Sequence, residues 1–314
     1  MLKTIQEMDK YCHRRGEMAG MSTGFPLLDQ YTEGLQPGLI LVGGQSNSGK
    51  TAFLSQIAWQ MATHPKNNAY VLFFSLDDMA FDVLPRIVAC DQQIPINAVK
   101  IPKKYKDDPE ITRKREMGIK RLIDHVKHFK IYDQVNGQSD IKFIEETIKR
   151  HLVELEAAGD NRRMAVFIDN FYDIDAIDVP ETRTSNNAKY EYIAEELDRI
   201  AQVYQIPVVC SAEFRKLNGN KRPTLDDIRE TVKVVYKSKL ILLVYNEVGL
   251  KGENASVYFT TEDTVNKQPV LEVHFAKNKF TSFKQRLFYH FYPAYSYLEE
   301  VTAGNLRRYQ ALMG

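Results

Sequence analysis

An apolar run, a glycine-rich turn and a helical stretch follow one another between residues 39 and 61, and this junction constrains the fold more than any other feature. Leu39-Ile40-Leu41-Val42 has the continuous apolar character of a strand buried on both faces. Gly44-Gln45-Ser46-Asn47-Ser48-Gly49-Lys50-Thr51 fits G-x-x-x-x-G-K-[ST] at every fixed position. Ala52 to Met61 then reads as helix. Gly44 and Gly49 let the backbone turn tightly, so successive N–H groups point at phosphate oxygens. The helix N-terminus behind them favours an anion. Lys50 reaches β- and γ-phosphates, and the Thr51 hydroxyl is placed to hold Mg²⁺. The segment from Gly44 through Ala52 is therefore the expected nucleotide-phosphate site.

A strand, loop and helix of this kind belong in an alternating sheet, and the chain supplies one. Apolar strands are expected at 39–43, 70–75, 129–132, 165–169, 206–211 and 240–245, with a hairpin at 255–261 and 270–276. Helices are expected at 51–62, 80–92, 111–127, 139–158 and 187–204. The pattern predicts an α/β fold: a mostly parallel twisted sheet flanked by helices, with antiparallel strands at one edge. Residues 1–20 stand apart as a helical arm before one domain over 21–314. Leu2, Ile5, Met8 and Tyr11 or Cys12 recur at helical spacing there. The arm packs on its own domain or on a neighbouring subunit.

Bulk properties exclude several classes. Hydrophobic content is 44% and charged content 26%, which are globular values. No apolar run spans a membrane, and the N-terminus does not lead into a signal-peptide core. Cys12, Cys90 and Cys210 have neither metal-like spacing nor a disulfide pattern, so a reducing cytoplasm is expected. The 42 Lys+Arg and 41 Asp+Glu leave a net charge of +1, so any nucleic-acid site must come from a local patch.

Two further segments carry chemistry. Val166-Phe167-Ile168-Asp169 is a buried strand ending in a carboxylate, which in phosphate-loop enzymes holds Mg²⁺ beside the loop Ser/Thr. Ser75-Leu76-Asp77-Asp78 ends the strand after the phosphate-loop helix, where open parallel sheets line a ligand crevice. A carboxylate there either polarises the water that attacks the γ-phosphate or caps the next helix.

Several segments, in order, resemble the RecA-type C-terminal domain of DnaB-like replicative DNA helicases. Ser22-Thr23-Gly24-Phe25-Pro26-Leu27-Leu28-Asp29 and Gly34-Leu35-Gln36-Pro37-Gly38 resemble its lead-in to the phosphate loop. Phe74-Ser75-Leu76-Asp77-Asp78-Met79 is similar to F-S-L-E-M, with Arg86 as the basic residue that follows. Ile168-Asp169-Asn170-Phe171 is similar to I-D-Y-L, and Cys210-Ser211-Ala212-Glu213-Phe214-Arg215 lies where the family has L-S-Q-L-N-R. Lys221-Arg222-Pro223-Thr224-Leu225-Asp226-Asp227-Ile228-Arg229-Glu230 is close to R-P-x-L-x-D-L-R-E, and Ala276-Lys277-Asn278-Lys279 resembles A-K-N-R. The resemblance covers about residues 20–290.

The resemblance implies a RecA-like P-loop ATPase that uses ATP and Mg²⁺. It further implies a homo-oligomer, a hexameric ring around single-stranded DNA, with the arm on the neighbouring subunit and a loader or replication partner. Asp77 takes the place of the catalytic Glu, and Lys279 that of the arginine finger, with Lys277 beside it at the nucleotide. Ala212 is read as replacing the phosphate-sensing Gln. Arg215, Lys216, Lys221, Arg222, Lys233 and Lys237 form a basic region matching the family's DNA loops, or else a solvated surface. Nothing there reads base edges. Two functions follow: an ATP-driven translocase and helicase on single-stranded DNA, or a non-unwinding ATP-dependent scaffold or regulator. A RecA-like recombinase shares the fold but explains the loop at 221–230 poorly.

Overall fold

The structure is a computed structural model. It describes residues 1, 5–6, 9, 18–135, 139–183, 185–214, 221–228, 232–261 and 264–312. The expected arm falls mostly outside these. From Gly20 the chain is tied to the body, since Met21 and Leu35 exchange backbone hydrogen bonds.

The phosphate-loop strand β1 (Gly38–Gly44) is followed by β2 (Ala69–Ser75), β3 (Phe129–Asp133), β4 (Arg163–Asp169), β5 (Pro207–Glu213) and β6 (Leu240–Asn246). These six pair in parallel, in the order β6-β1-β5-β4-β2-β3. Then β7 (Tyr258–Thr261), β8 (Thr264–Asn278), β9 (Arg286–Tyr292) and β10 (Tyr297–Glu300) add antiparallel pairs beyond β6. The expected mixed sheet is present.

Alternation along the parallel strands divides the core. Ile40, Val42, Val71, Phe73 and Phe167 face one side, against Phe53, Leu54 and Ile57 of the helix Lys50–Thr63 and Val83 and Ile87 of Ala80–Gln92. Leu39, Leu41, Leu72, Phe74 and Ile168 face the other, against Ile144 and Ile148 of Ile141–Ala157 and Ile193 and Leu197 of Asn186–Val203. Burial on both faces is why these strands read as continuous apolar runs.

The antiparallel end departs from expectation. The hairpin exists, but β8 is 15 residues long and also pairs with β6 and with β9. The strands β9 and β10 were not expected. Their aromatic-rich sequence, Arg286 to Tyr292 and Tyr297 to Glu300, is a strand signal that the single hairpin left without a partner. They anchor the start of the domain. Glu300 accepts from the N–H groups of Leu27 (2.7 Å) and Leu28 (3.1 Å), capping the short helix Pro26–Thr32. Asp29 of that helix accepts from the Thr23 N–H at 2.8 Å and the Ser22 hydroxyl at 2.5 Å. The Ser22–Asp29 motif is thus a folded clasp beneath the sheet edge.

Glu272 of β8 is 1% exposed and held by Arg222 through two hydrogen bonds, of 2.8 and 2.9 Å. Arg286 lies 3.7 Å away, and the Arg222 guanidinium stacks 5.5 Å from the Tyr245 ring. Removing Arg222 leaves a buried carboxylate with one distant partner. Arg222→Ala is expected to cost about 3 kcal/mol, the low end for a broken buried pair because the guanidinium is partly exposed, measured as a shift in denaturation midpoint. Adding Glu272→Gln should recover part of that loss. An unshifted midpoint in the single variant removes this pair as a stabilising contact.

Candidate nucleotide-binding site

The parallel strands end level with one another at one edge. Gly44 of β1 pairs with Glu213 of β5, and Ser75 of β2 pairs with Asp169 of β4. From this edge the chain enters the phosphate loop. Gly49 adopts φ 100° at the start of the helix, a conformation that favours glycine. A Cβ on Gly44 would sit 2.5 Å from the Ser48 hydroxyl and 3.1 Å from Cγ of Lys50. Both loop glycines are thus required by the turn itself.

The loop and strand ends enclose a cleft of about 380 Å³. It is lined by Ser46, Asn47, Gly49, Lys50, Thr51 and Ala52 from the loop and helix, and by Asp77, Asp78, Asp169 and Glu213 from strand ends. Arg86 closes one side, 2.6 Å from Asp78, and Phe291, Pro293 and Ser296 close another. The helix N-terminus has no side-chain cap, leaving its first N–H groups open towards an anion. The Ser48 hydroxyl and the Gln45 side-chain oxygen are buried without a hydrogen-bond partner among the described residues. An uncapped helix start and a buried lysine fit a polyphosphate.

Lys50 is 7% exposed and donates to the Gln45 carbonyl at 2.8 Å, with Glu213 at 3.7 Å. Burial draws its ammonium below the ordinary lysine range, opposed by Glu213, Asp169 and Asp77. Asp169 is buried and accepts from the Ser211 hydroxyl. Its backbone carbonyl accepts from the N–H groups of Leu76 (2.5 Å) and Asp77 (3.2 Å), which pins the Asp77 segment beside it. Burial, then Asp78, Asp169 and Glu213, push the Asp77 carboxyl above its ordinary range. The same causes act on Asp173: burial first, then Asp77, Asp169 and Glu213, bring it to about 6. Thr51 and Asp169 supply the hard oxygen donors that Mg²⁺ prefers.

The structure gathers Asp77 and Asp169 at the phosphate loop but corrects the reading of β5. Ala212 is buried on the opposite face, packed with Cys210 and Phe214. Side chains alternate along a strand, so Ser211 and Glu213 share the cleft face. Glu213, not Ala212, is the β5 residue that meets Lys50. A strand ending in a carboxylate, as β4 does, was the signal for it.

Two expected lysines lie elsewhere. β8 runs antiparallel to β6 and pairs Ile241 with Lys277 and Leu240 with Asn278, while β1 pairs Ile40 with Leu240. Lys277 is therefore level with Leu41 and Lys279 lies beyond Ile40, which sets them about 10 Å and more than about 13 Å along the strand from Gly44, towards the opposite sheet edge. Lys277 donates to the carbonyls of Val235 (2.6 Å) and Tyr236 (2.9 Å), at the end of the helix Val232–Lys237. Burial, then Lys279, lowers it to about 8. Lys279 lies 5.8 Å from the Tyr236 ring, in a hollow with Gln36, Pro37 and Lys239. Neither lysine reaches its own chain's phosphate loop.

The proposed DNA residues do not form one open basic face. Arg215 and Lys216 lie outside the described residues. Arg222 is engaged by Glu272, Lys233 by Glu191 (3.3 Å) and Glu195 (2.9 Å), and Lys237 by Asp198 at 3.8 Å. Lys221 is exposed. Isolated basic residues read as a patch in sequence, whereas in the fold their carboxylate partners come from distant elements.

Known proteins share the family profile and the fold. The profile of the DnaB-like helicase C terminal domain matches residues 20–289. The replicative DNA helicase DnaC of Bacillus subtilis is 25% identical over 286 residues, 89% of this chain and 56% of that protein. A probable replicative DNA helicase of Trieres chinensis is 26% identical over 250 residues, 78% of this chain and 51% of that protein. The chain thus spans about half the length of the curated relatives it matches. Among solved structures, one described as an ATPase domain superposes with TM-score 0.77 at 20% identity, covering 96% of this chain and 97% of that one. A DnaB-like replicative helicase, solved in a study of its interactions with primase, gives TM-score 0.77 at 18% identity, covering 96% of this chain and 67% of that one. No helix among the described residues is long and apolar enough to cross a membrane. With a RecA-like sheet, a complete phosphate loop and a profile match over most of its length, this chain belongs to the DnaB-like helicase C-terminal domain family.

Proposed function

We propose that this chain hydrolyses ATP to drive movement on single-stranded DNA, as a ring of like subunits, hexameric as in the resemblance. The observation that carries this reading is the meeting of Lys50, Thr51, Asp77 and Asp169 in one cleft at the carboxyl edge of the parallel sheet. Lys50 holds the β- and γ-phosphates, and the loop N–H groups cradle the phosphate oxygens. Asp77 orients and deprotonates the attacking water; its raised pKa makes it a stronger base than an exposed aspartate. Thr51 and Asp169 would hold Mg²⁺, which would supply positive charge to offset that of the phosphates. Lys279 stabilises transition-state charge at the cleft of an adjacent copy, because it cannot reach its own.

A second reading, an ATP-dependent scaffold that does not unwind DNA, draws support from the pairing of Arg222, Lys233 and Lys237 with carboxylates. Steady-state ATPase measurements with and without single-stranded DNA separate the two. The motor reading expects strong stimulation by DNA; an unstimulated rate favours the scaffold.

Asp77→Asn should abolish turnover while Mg-ATP still binds, and Asp78→Asn should retain turnover, since Asp78 is engaged by Arg86. The reverse pattern would reassign the base.

Mixing Lys279→Ala with Lys50→Ala protein should restore part of the ATPase rate, because some interfaces then join an intact loop to an intact lysine. Mixtures that exchange subunits without rescue would exclude action across subunits.

Lys221 is the described basic loop residue to test for DNA, because Arg222→Ala confounds binding with stability. Lys221→Ala should weaken binding equally across single-stranded sequences and reduce the salt slope by about 0.7. Binding and slope identical to wild type would make the scaffold reading the stronger.

A further inference from the structure

Glu213 ends β5 with its side chain one-third exposed, and its carboxylate lies 3.7 Å from the ammonium of the buried Lys50. Its place is fixed on both sides. The backbone of Glu213 is level with Gly44 in the β1–β5 ladder, and the Phe214 N–H donates to the Gly44 carbonyl at 3.2 Å. Two residues earlier on the same strand face, Ser211 holds Asp169.

The charge around Lys50 is lopsided. The side chains lining the cleft include four carboxylates, Asp77, Asp78, Asp169 and Glu213, against two cations, Lys50 and Arg86. Arg86 is engaged by Asp78. Asp169 and Asp77 have places in the proposed chemistry, with the metal and the water. Glu213 has none there, yet it is the carboxylate in ion-pair distance of Lys50. An ionised Glu only accepts hydrogen bonds, so it cannot donate to a phosphate as an amide would.

We infer that Glu213 discriminates between nucleoside triphosphate and diphosphate, its carboxylate competing with the terminal phosphate for Lys50. This rests on the nucleotide-binding reading of the cleft. The loop N–H groups cradle the α- and β-phosphates, so the terminal phosphate is the one that extends past Lys50 towards the strand-end carboxylates. With triphosphate bound, two anions share one desolvated ammonium. With diphosphate bound, Glu213 keeps more of it. Glu213 therefore weakens the triphosphate state selectively and helps expel the phosphate released by hydrolysis. Repulsion between two unit charges about 6 Å apart, at an effective dielectric of about 40 for a half-open site, is worth about tenfold in affinity.

The test measures dissociation constants of Mg-ATP and Mg-ADP by calorimetry on the full chain, as wild type, Glu213→Gln and Glu213→Ala. Both variants should tighten Mg-ATP about tenfold and change Mg-ADP by less than about twofold, since each removes the charge. Equal changes for the two nucleotides, or weaker Mg-ATP binding, would overturn the inference while leaving the cleft as a nucleotide site. Tightening by Gln alone would also overturn it, assigning the gain to a new amide donor. Wild-type protein that binds neither nucleotide overturns the cleft reading and this inference together. Both variants change a partly exposed side chain, and their melting temperatures report whether either has failed to fold.

Discussion

Backbone ladders along the parallel strands set every strand-end group of the cleft. β1 is buried throughout and paired on both sides, so Gly44, Glu213 and the start of the phosphate loop share one level. The β2–β4 ladder does the same for Ser75 and Asp169. A one-residue slip in either ladder would turn Asp169 or Glu213 to the opposite face, into packed apolar side chains. The precision of the site is thus backbone precision. It is secured by the two apolar layers on either side of the sheet rather than by contacts within the cleft.

Those layers also set the electrostatics. Lys50 and Asp169 are nearly removed from water, so each feels its neighbours through little screening. The carboxyls of Asp77 and Asp173 respond by holding their protons more tightly. Such a cleft matches a ligand that brings positive charge to its acidic groups.

The phosphate loop, the parallel strands and the long helices were legible in the sequence because each is a local signal. The loop needs glycines and a lysine at fixed spacing, and buried strands need continuous apolar runs. Asp77 and Asp169 were legible for the same reason, as carboxylates at strand ends. What stayed hidden depends on pairing between distant segments. Glu213 carried the same local signal, a carboxylate at a strand end, but the register of β5 beside β1 decides that it, and not Ala212, meets Lys50. Arg222 read as a free cation because Glu272, its partner, is 50 residues away in sequence and its burial is not written locally. β9 and β10 had strand-like composition but no evident partner until β8 proved long enough to serve both β6 and β9.

The placement of Lys279 has a consequence for symmetry. The phosphate loop and Lys279 occupy opposite edges of one sheet. A contact that brings them together joins unlike surfaces of two copies. Such a contact is heterologous, with a front and a back, and cannot be satisfied by a twofold dimer using one patch on both sides. Each added copy leaves one loop edge and one lysine edge unsatisfied until the rotation between neighbours closes a ring, or fails to and yields a filament. Assembly built on this feature has a direction of its own.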